Sequence, residues 1–489
     1  MKRYLYLWHR WLGIALCLLM LLWFVSGMVM LYVGYPKLTQ AEHWSRLPAL
    51  SLDGCCVEPQ KVLGQVGAQP GVLRLTSIAG APHYLFAGPG WVRAFDGRTG
   101  LPVESVSVDQ AIASARQFAP GEPVRYERLV NEDTWSHSRG LDADRPLHRV
   151  RVDDEQQRLL YVSGVTGAVV RDVTRTERIW NWLGAWLHWI YPLRGNAFDR
   201  AWHDIVVYLS VTATLAAVLG LVVGLLRWRL RRPYRNGSRS PYPAGWMRWH
   251  HWTGLSFGLV LLFWIFSGLM SMSPWGVLAS TSRFSPAAYQ GSALYETDHE
   301  LGLAQAMTRL TDAGLQLHEL EWVVVQGQAW LVGYQGDGTS MVISLQGDGS
   351  PMAQIDQALL QQAAKGALPG AAGTVERLHG YDFYYLGREQ QSMYGARHRP
   401  LPALRIRFED EAGTWVHIDP ASGKVLDVLD NRRRLYRWMF NLLHSWDIPW
   451  LLDRPRLREG LLIVLSLGGA LVSASGVVIG WRRLRRAAR

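Results

Sequence analysis

Four stretches of the sequence carry no charged side chain for about twenty residues, the length of a membrane span. They are Trp11–Val33, Ile205–Leu226, Trp252–Met272 and Leu461–Trp481. At 1.5 Å per residue, a helix of that length crosses a hydrocarbon core about 30 Å thick. The first stretch is too long for a signal peptide and lacks a cleavage site after it, so we expect it to remain as an anchor. The sequence therefore predicts a membrane protein with four spanning helices.

Arginine residues set the expected orientation. Two groups flank the predicted spans: Arg227, Arg229, Arg231, Arg232, Arg235, Arg239 and Arg248, and then Arg482, Arg483, Arg485, Arg486 and Arg489. Because cytoplasmic loops are enriched in Arg and Lys, we expect both groups and both termini to be cytoplasmic in a bacterial inner membrane. The formal net charge of +11 then reflects topology and requires no nucleic-acid partner. The long polar regions 35–176 and 274–431 are expected to be periplasmic.

The chain is predicted to be an internal duplication. Trp8–Gly13 (WHRWLG) matches Trp249–Gly254 (WHHWTG) with residue 8 aligned to residue 249, an offset of 241, and Ser26-Gly27 matches Ser267-Gly268 at that offset. Further along, residue 188 aligns with residue 444, an offset of 256, which other pairs share: Arg149 and Arg405, Arg178 and Arg434, Trp182 and Trp438, Gly220 and Gly476, and Gly224 and Gly480. Because each copy contains two spans, we expect parallel repeats related by a pseudo-two-fold axis along the membrane normal.

Each copy is expected to carry one periplasmic α+β module. Alternating apolar and polar residues predict strands at Arg149–Val152, Leu159–Val162, Leu404–Phe408 and Thr414–Ile418. Helical periodicity is present at 107–119 and 354–366. The predicted segments are a first span (1–34), a periplasmic domain (35–176), an aromatic helix with the second span (177–228), a cytoplasmic loop (229–247), a third span (248–273), a second periplasmic domain (274–431), an aromatic helix with the fourth span (432–482) and a cytoplasmic tail (483–489).

Four histidines occupy matching places in the two copies. His9 and His250 lie near the cytoplasmic end of the first span of each copy, and His188 and His444 precede the second span. A lone histidine beside a span is more often an interfacial residue than a ligand, but a two-fold axis would bring each pair together. Two facing neutral imidazoles in an apolar helix bundle suit bis-histidine ligation of haem iron. Zinc would need further ligands, and a proton relay would need acidic residues in the spans, so we expect two b-type haems.

Two further histidines break the symmetry. His203 aligns with Glu459, and it could replace His188 as a ligand or lie beside it. His251 aligns with Arg10, so it is the weaker candidate at the inner site, where a haem propionate contact is equally plausible.

Tryptophan-rich segments lead into the second and fourth spans. Arg178–Tyr191 and Arg434–Trp446 are too short to span and are predicted to be interfacial helices that form an aromatic belt and also wall a macrocycle. Arg178 and Arg434 could pair with haem propionates or simply reach the interface. The repeated small-residue motifs Gly220-x-x-x-Gly224 and Gly476-x-x-x-Gly480 predict a close-packed helix seam.

The three cysteines carry little information. Cys17 lies in a span and is expected to behave as a small apolar residue. Cys55 and Cys56 are adjacent, and a disulfide between them, a thiol contact to a metal and plain surface thiols are all compatible with the sequence. No C-x-x-C spacing supports redox cycling.

The opening motif Trp8–Gly13, the Ser26-Gly27 pair, the turn Asp419–Val425 and the Leu442–His444 motif resemble the PepSY-associated transmembrane family over nearly the whole chain. That resemblance implies an inner-membrane di-haem ferric-siderophore reductase, which releases ferrous iron for uptake by other proteins. No Gly-x-Gly-x-x-Gly unit follows a strand, so the electron donor is expected to be external, either quinol in the bilayer or a cytoplasmic reductase. Membrane lipid and a second copy in a homodimer are further expected partners.

The expected substrate contacts are less specific. Six residues of the periplasmic regions could touch a ferric chelate, although an ordinary role in the domain is favoured for each: Trp135, His137, Tyr381, Asp382, Tyr384 and Tyr385. Two other functions are compatible with the architecture. The chain could be a membrane-anchored binding or regulatory protein, which leaves the paired histidines unexplained. It could also be a transporter component, but the spans lack the ionisable residues at mid-membrane depth that mark coupling sites.

Overall fold

The four apolar stretches form four long helices in a computed structural model of the chain, which describes residues 2–51, 54–67, 70–194, 197–235, 237–297 and 299–488. Each helix is long and apolar enough to cross a membrane. The prediction of a multi-pass membrane protein with four spans is confirmed. The helices are α1 (Lys2–Met30), α2 (Gln40–Arg46), α3 (Pro59–Val66), α4 (Val108–Phe118), α5 (Arg175–Trp180), α6 (Ala185–His188), α7 (Trp202–Arg227), α8 (Trp246–Ser271), α9 (Pro286–Gln290), α10 (Leu303–Asp312), α11 (Gln357–Gly366), α12 (Asn431–Tyr436), α13 (Leu443–Ser445), α14 (Pro449–Leu452) and α15 (Pro455–Ala487).

The long helices α1, α7, α8 and α15 form a four-helix bundle. α1 packs against α7 and α15, and α8 packs against the same two helices, so each helix has two neighbours in a ring. The middle of the bundle is filled by apolar side chains: Leu16, Met20, Phe24, Ala213, Ala216, Ala217, Leu261 and Ile265. The small residues of α7 and α15 allow close approach, as the repeated glycine motifs predicted. A Cβ atom on Gly220 would lie 2.8 Å from Cε1 of His9, and one on Gly476 would overlap Cys17 Sγ.

Fourteen strands in the described residues form three antiparallel sheets. They are β1 (Val72–Ile78), β2 (Ala81–Gly88), β3 (Trp91–Asp96), β4 (Val124–Val130), β5 (Leu147–Val152), β6 (Leu159–Ser163), β7 (Val169–Val173), β8 (Glu319–Val325), β9 (Gln328–Tyr334), β10 (Ser340–Ser344), β11 (Gly373–Leu378), β12 (Ala403–Phe408), β13 (Trp415–Ile418) and β14 (Val425–Leu429). One sheet has the order β10-β9-β8-β1-β2-β3, and two four-stranded sheets contain β4 to β7 and β11 to β14 in sequence order. Together with the helices that pack on them, these sheets confirm the predicted α+β architecture outside the membrane.

The six-stranded sheet is shared by both halves of the chain, which the sequence did not predict. β1 pairs antiparallel with β8, so that Arg74 lies opposite Glu321, while Leu73 faces Trp322 and Leu75 faces Leu320. An antiparallel pair of equivalent strands is the pairing that a two-fold axis between them would produce. The corresponding strands of the four-stranded sheets match at the 256-residue offset, since β5 begins at residue 147 and β12 at residue 403.

The first tryptophan-rich segment differs from the prediction of one helix over Arg178–Tyr191. The helix α5 ends at Trp180, a turn follows, and α6 begins after Gly184. Asn181 stabilises the turn, because its amide nitrogen donates to the backbone oxygen of Gly34 at 2.9 Å. Gly184 then takes a non-helical conformation with φ −87° and ψ −115°. That prediction was wrong because a tertiary contact overrides the local helical pattern.

The second tryptophan-rich segment remains helical from Asn431 to Ser445, but it contains a π-helical stretch at Arg437–Leu442. Such insertions shift the residues that follow around the helix axis. Elsewhere, Cys55 and Cys56 form a disulfide, which selects one of the three alternatives left open by the sequence.

Candidate functional site

The two ends of the helix bundle have different surroundings: arginine-rich segments lie at one end and the three sheets at the other. The basic end holds the beginnings of α1 and α8 and the ends of α7 and α15, whereas the sheet end adjoins the three sheets. At the basic end, His9 of α1 and His250 of α8 face each other with ring centres 6.2 Å apart. Nδ1 of His9 lies 3.3 Å from the backbone oxygen of Ala216, and Nδ1 of His250 lies 3.2 Å from that of Val472. We call these two histidines the basic-end pair.

At the sheet end, His188 of α6 and His444 of α13 form the sheet-end pair, with ring centres 6.0 Å apart. Nδ1 of His188 lies 3.0 Å from Oγ of Ser26, and Nδ1 of His444 lies 3.0 Å from Oγ of Ser267. Both serines are buried at the far end of the first span of their half. The two histidines of the pair therefore have equivalent partners in the two halves.

The hydrogen bonds fix the tautomer of these imidazoles. The Ser26 hydroxyl donates to the backbone oxygen of Leu22 at 2.6 Å, and the Ser267 hydroxyl donates to that of Trp264 at 2.9 Å. Each serine oxygen must therefore accept the Nδ1 proton of its histidine. At the basic end the partners are the backbone oxygens of Ala216 and Val472, which can only accept. Nδ1 of His250 also lies 2.9 Å from Oγ of Ser475, whose hydroxyl donates to the backbone oxygen of Val472 at 2.7 Å. In all four rings Nδ1 thus carries the proton and Nε2 keeps its lone pair, as a metal-binding histidine requires.

Among the described residues, Nε2 of none of these four histidines makes a hydrogen bond. A bond from a metal to an imidazole nitrogen is about 2 Å long, so two imidazoles on one metal have ring centres roughly 6 Å apart. Both pairs meet that condition. No group of three or more His, Cys, Asp or Glu side chains in the described residues could hold a metal. Each pair offers two imidazole nitrogens, which could hold a haem iron because the porphyrin supplies four further ligands.

A cavity of about 1330 Å³ adjoins the basic-end pair. It is lined by all four bundle helices and reaches inward as far as Met20 and Leu261, in the middle of the bundle. At the sheet end, glycines border the imidazoles instead. A Cβ on Gly27 would lie 3.5 Å from Cε1 of His188, and one on Gly268 would lie 3.8 Å from Cε1 of His444. At these distances a Cβ would be in ordinary van der Waals contact with the ring, so each glycine leaves a methyl-sized space beside its imidazole.

The two unpaired histidines have no free ring nitrogen in this structure. His251 is buried, and its Nδ1 and Nε2 lie 2.8 Å from Ser240 Oγ and 3.0 Å from the backbone oxygen of Gly224. His203 contacts Asp204 through Nδ1 and the backbone oxygen of Met272 through Nε2, at 3.3 and 3.0 Å. The structure brings together His188 and His444, and His203 is outside that pair.

Arg178 and Arg434 attach the segments before the second and fourth spans to the sheets. Arg178 donates to the backbone oxygen of Gln157 at 2.7 Å, and Arg434 donates to that of Gly413 at 2.7 Å. The two acceptors are themselves equivalent at the 256-residue offset. The Arg434 guanidinium also lies over the ring of Trp415, 4.3 Å from its centre. These contacts support a structural role, whereas the sequence had left propionate binding open.

The six candidate chelate contacts are engaged within the domains. Trp135 and His137 are buried, and His137 pairs with Glu132. In the other half, Asp382 accepts two hydrogen bonds from the buried Arg405, at 2.6 and 2.9 Å. The remaining three are tyrosines whose hydroxyl groups bond to other residues: Tyr381, Tyr384 and Tyr385. Their contacts favour the ordinary domain role.

Sequence reasoning missed four residues that orient the sheet-end pair. It recorded Ser26 and Ser267 only as evidence of duplication, although they accept from the histidines. It did not single out Trp23 and Trp264, whose indole nitrogens donate to the backbone oxygens of His188 and His444 at 3.1 and 2.9 Å. Both matches follow the 241-residue offset, which was the available signal.

A protein-family model described as PepSY-associated TM region matches residues 6–483, which include both histidine pairs. The chain belongs to this PepSY-associated family. No curated protein matches the sequence. In this PepSY-associated chain, α1 and α8 carry the basic-end pair. The short helices α6 and α13, which precede α7 and α15, carry the sheet-end pair.

Proposed function

We propose that this protein is a haem-dependent reductase of the bacterial inner membrane. It would pass electrons across the membrane to a ferric siderophore or another ferric chelate in the periplasm, and ferrous iron would be released for uptake. The single observation that carries the proposal is the pair of facing imidazoles at each end of the bundle, with ring centres 6.2 and 6.0 Å apart.

The proposed orientation places the basic end in the cytoplasm. The arginines around the ends of α7 and α15 support this assignment, since cytoplasmic segments are enriched in Arg. The basic-end pair would then lie near the cytoplasmic face, and the sheet-end pair would lie next to the periplasmic sheets. Sites on both sides of the hydrocarbon core are what electron transfer across a membrane needs.

The side chains have separate tasks in this proposal. When bound, haem b would supply one-electron redox chemistry at each pair. His9, His250, His188 and His444 would hold the haem irons through Nε2. Their Nδ1 partners hold the rings in the required tautomer and orientation. The apolar cluster in the middle of the bundle would keep water out of the region between the two pairs.

The substrate class is supported by the family resemblance and by the position of the sheet-end pair. One electron converts the ferric iron of a chelate to ferrous iron, for which siderophores have far lower affinity, so the metal leaves the chelate. A donor on the cytoplasmic side must then replace each electron. The six candidate chelate contacts are engaged within the domains, so the proposal places reduction of a chelate at the surface near the sheet-end pair.

The test uses purified full-length protein in lipid vesicles. After reduction with dithionite and removal of the excess, addition of a ferric siderophore should reoxidise the haem and release ferrous iron that a ferrous-specific chelator traps. His444→Ala should abolish this reaction, whereas His203→Ala, outside the pair, should retain it. Haem that stays reduced in the presence of ferric siderophores would contradict the proposed substrate.

A further inference from the structure

The mouth of the cavity at the basic end is strongly cationic. Six arginines line it: Arg3, Arg10, Arg227, Arg482, Arg483 and Arg486. No Asp or Glu belongs to the lining, and none occurs in residues 1–10, 227–250 or 481–489. Among the described residues, no carboxylate lies within ion-pair distance of these six side chains. The mouth therefore carries a positive charge that the protein itself does not neutralise.

Topology alone does not account for this arrangement. The positive-inside rule requires arginines near the ends of spans, but it does not require acidic residues to be absent, because they influence orientation little. The rule also does not require arginines to line a cavity. Arg227 lines the cavity in this way. Its Nε is buried without a hydrogen-bond partner, and its guanidinium lies 4.6 Å from the ring centre of Tyr6. A buried donor without an acceptor is available to bind an anionic or polar group that enters the cavity.

Aromatic rings lie among the arginines. Tyr4, Tyr6, Tyr242 and Trp246 line the same mouth, and Tyr4 and Trp246 are 64% and 44% exposed. Arg forms bidentate bonds with phosphate, and both Arg and aromatic side chains stack on planar rings. The combination fits a ligand that has a planar ring system and a phosphate group.

The cavity also has room for more than one ligand. Pockets for single small molecules are usually about 300–1,000 Å³, and this cavity has about 1330 Å³. A haem between His9 and His250 would bring two propionates, whereas six guanidinium groups line the mouth. Four positive charges would remain for a second anion.

We propose that this mouth binds the electron donor, a soluble reductant with a planar ring and a phosphate, of the class of reduced flavin nucleotides. The inference rests on the proposed function and selects a water-soluble donor over a quinol from the bilayer. The reduced flavin gives up two electrons and two protons. The haem irons that the histidine pairs would hold would accept the two electrons one at a time, and the two protons would pass to the cytoplasmic water.

Binding can be measured without any turnover. Full-length protein in phosphatidylcholine nanodiscs is titrated with oxidised flavin mononucleotide and, separately, with riboflavin, which has the same ring and no phosphate. Flavin fluorescence should show that the nucleotide binds at least roughly tenfold more tightly at low salt, and the difference should shrink as salt is added. Equal affinities for the two flavins would overturn the inference.

A matched pair of triple variants separates the mouth from the overall charge. Arg482→Gln/Arg483→Gln/Arg486→Gln removes three charges from the lining, and it should abolish the preference for the nucleotide. Arg231→Gln/Arg232→Gln/Arg235→Gln removes three charges from the same face outside the lining, and it should keep that preference. An equal loss in both variants would show that only general electrostatic attraction acts.

Stopped-flow reduction of the bound haem completes the test. Reduced flavin mononucleotide should reduce the haem faster than reduced riboflavin, and only the lining variant should remove the difference. Fast reduction by a quinol, with no nucleotide binding, would overturn this inference and leave the reductase proposal standing. Protein that binds the nucleotide but contains no haem would contradict the reductase proposal, although the nucleotide site itself would stand.

Discussion

The two histidine pairs use the same residue type but are built differently. The basic-end pair lies on two of the long helices, α1 and α8, and its Nδ1 atoms contact backbone oxygens of α7 and α15. The sheet-end pair lies on the short helices α6 and α13, outside the long helices. The first pair is therefore fixed by the packing of the bundle itself. The sheet-end pair depends on the contacts that hold α6 and α13 in place.

The supports of those two segments differ between the halves. After His444, the buried carboxylate of Asp447 accepts hydrogen bonds from Arg388 and Arg437, at 2.7 Å each. The residue at the equivalent position of the first half is Tyr191, which packs in an aromatic cluster instead. The comparison teaches that a duplicated site needs duplicated ligands and ligand partners, while its supports are free to diverge.

Removing a ligand should have the largest effect. Changing His9, His250, His188 or His444 singly to Ala should lower the haem content from two per chain to about one, because only the altered pair loses a ligand. The pyridine haemochrome assay on purified protein measures this directly. His203→Ala serves as the control and should keep both haems. A histidine variant with unchanged content would remove that residue from the ligand set.

Breaking the ionic support should affect only the sheet-end pair. Asp447→Asn removes the buried negative charge that faces Arg388 and Arg437, and breaking a buried ion pair typically costs about 3–5 kcal/mol. We expect the sheet-end haem signal to be lost or altered in redox titrations while the basic-end signal is kept. Tyr191→Phe, at the matching position, should change little. If Asp447→Asn altered both signals equally, the proposed independence of the two sites would be wrong.

Acid should affect the haem signal of the sheet-end pair before that of the basic-end pair. Glu319 is buried in the shared sheet, and although burial alone would raise its pKa, His43 and then Arg74 lower that pKa to about 2. A carboxyl group with a depressed pKa stabilises the fold above its ordinary pKa of 4.5, and this contribution is lost as the pH falls from there toward 2. As the pH falls from about 4.5 toward 2, the sheet-end haem signal should therefore change before the basic-end signal.

Glu319→Gln provides the comparison for that experiment. The variant should be less stable at neutral pH, and its thermal unfolding temperature should depend less on pH in the acidic range. Glu104→Gln, on an exposed side chain, should behave like the unaltered protein. An unchanged pH dependence in Glu319→Gln would assign the acid sensitivity to other groups.

The smallest expected effects concern the Nδ1 partners. Ser26→Ala or Ser267→Ala removes the acceptor of a buried imidazole N–H, and loss of such a partner commonly lowers metal affinity by about 10–100-fold. Haem should therefore transfer faster to an apo-myoglobin acceptor. Ser475→Ala at the basic end should have less effect, because His250 Nδ1 retains the backbone oxygen of Val472. Equal rates for all three variants would argue against the tautomer assignment.

Much of the bundle could be predicted from the sequence because its signals are strong and local. The length of the uncharged apolar stretches predicted the four spans. Two constant offsets in the sequence matched His9 with His250 and His188 with His444. The two offsets also matched Ser26 with Ser267, but a serine in a span has no signature that points to a distant imidazole.

The remaining features depend on contacts between distant residues. Pairing of β1 with β8 joins strands from different halves, and alternation within a strand does not reveal its partner. The break before Gly184 depends on a hydrogen bond from Asn181 to Gly34. Whether His203 and His251 have a free nitrogen depends on Met272 and Gly224, which no motif marks. Residue type alone therefore does not show which histidines keep a free ring nitrogen.

The most direct test of the account is the absorption spectrum and haem content of the full-length protein, purified from cells with an adequate haem supply. We predict two b-type haems per chain and a low-spin, bis-histidine spectrum whose bands sharpen on addition of dithionite. Colourless protein without a Soret band, or a single haem that survives the loss of either pair, would contradict it.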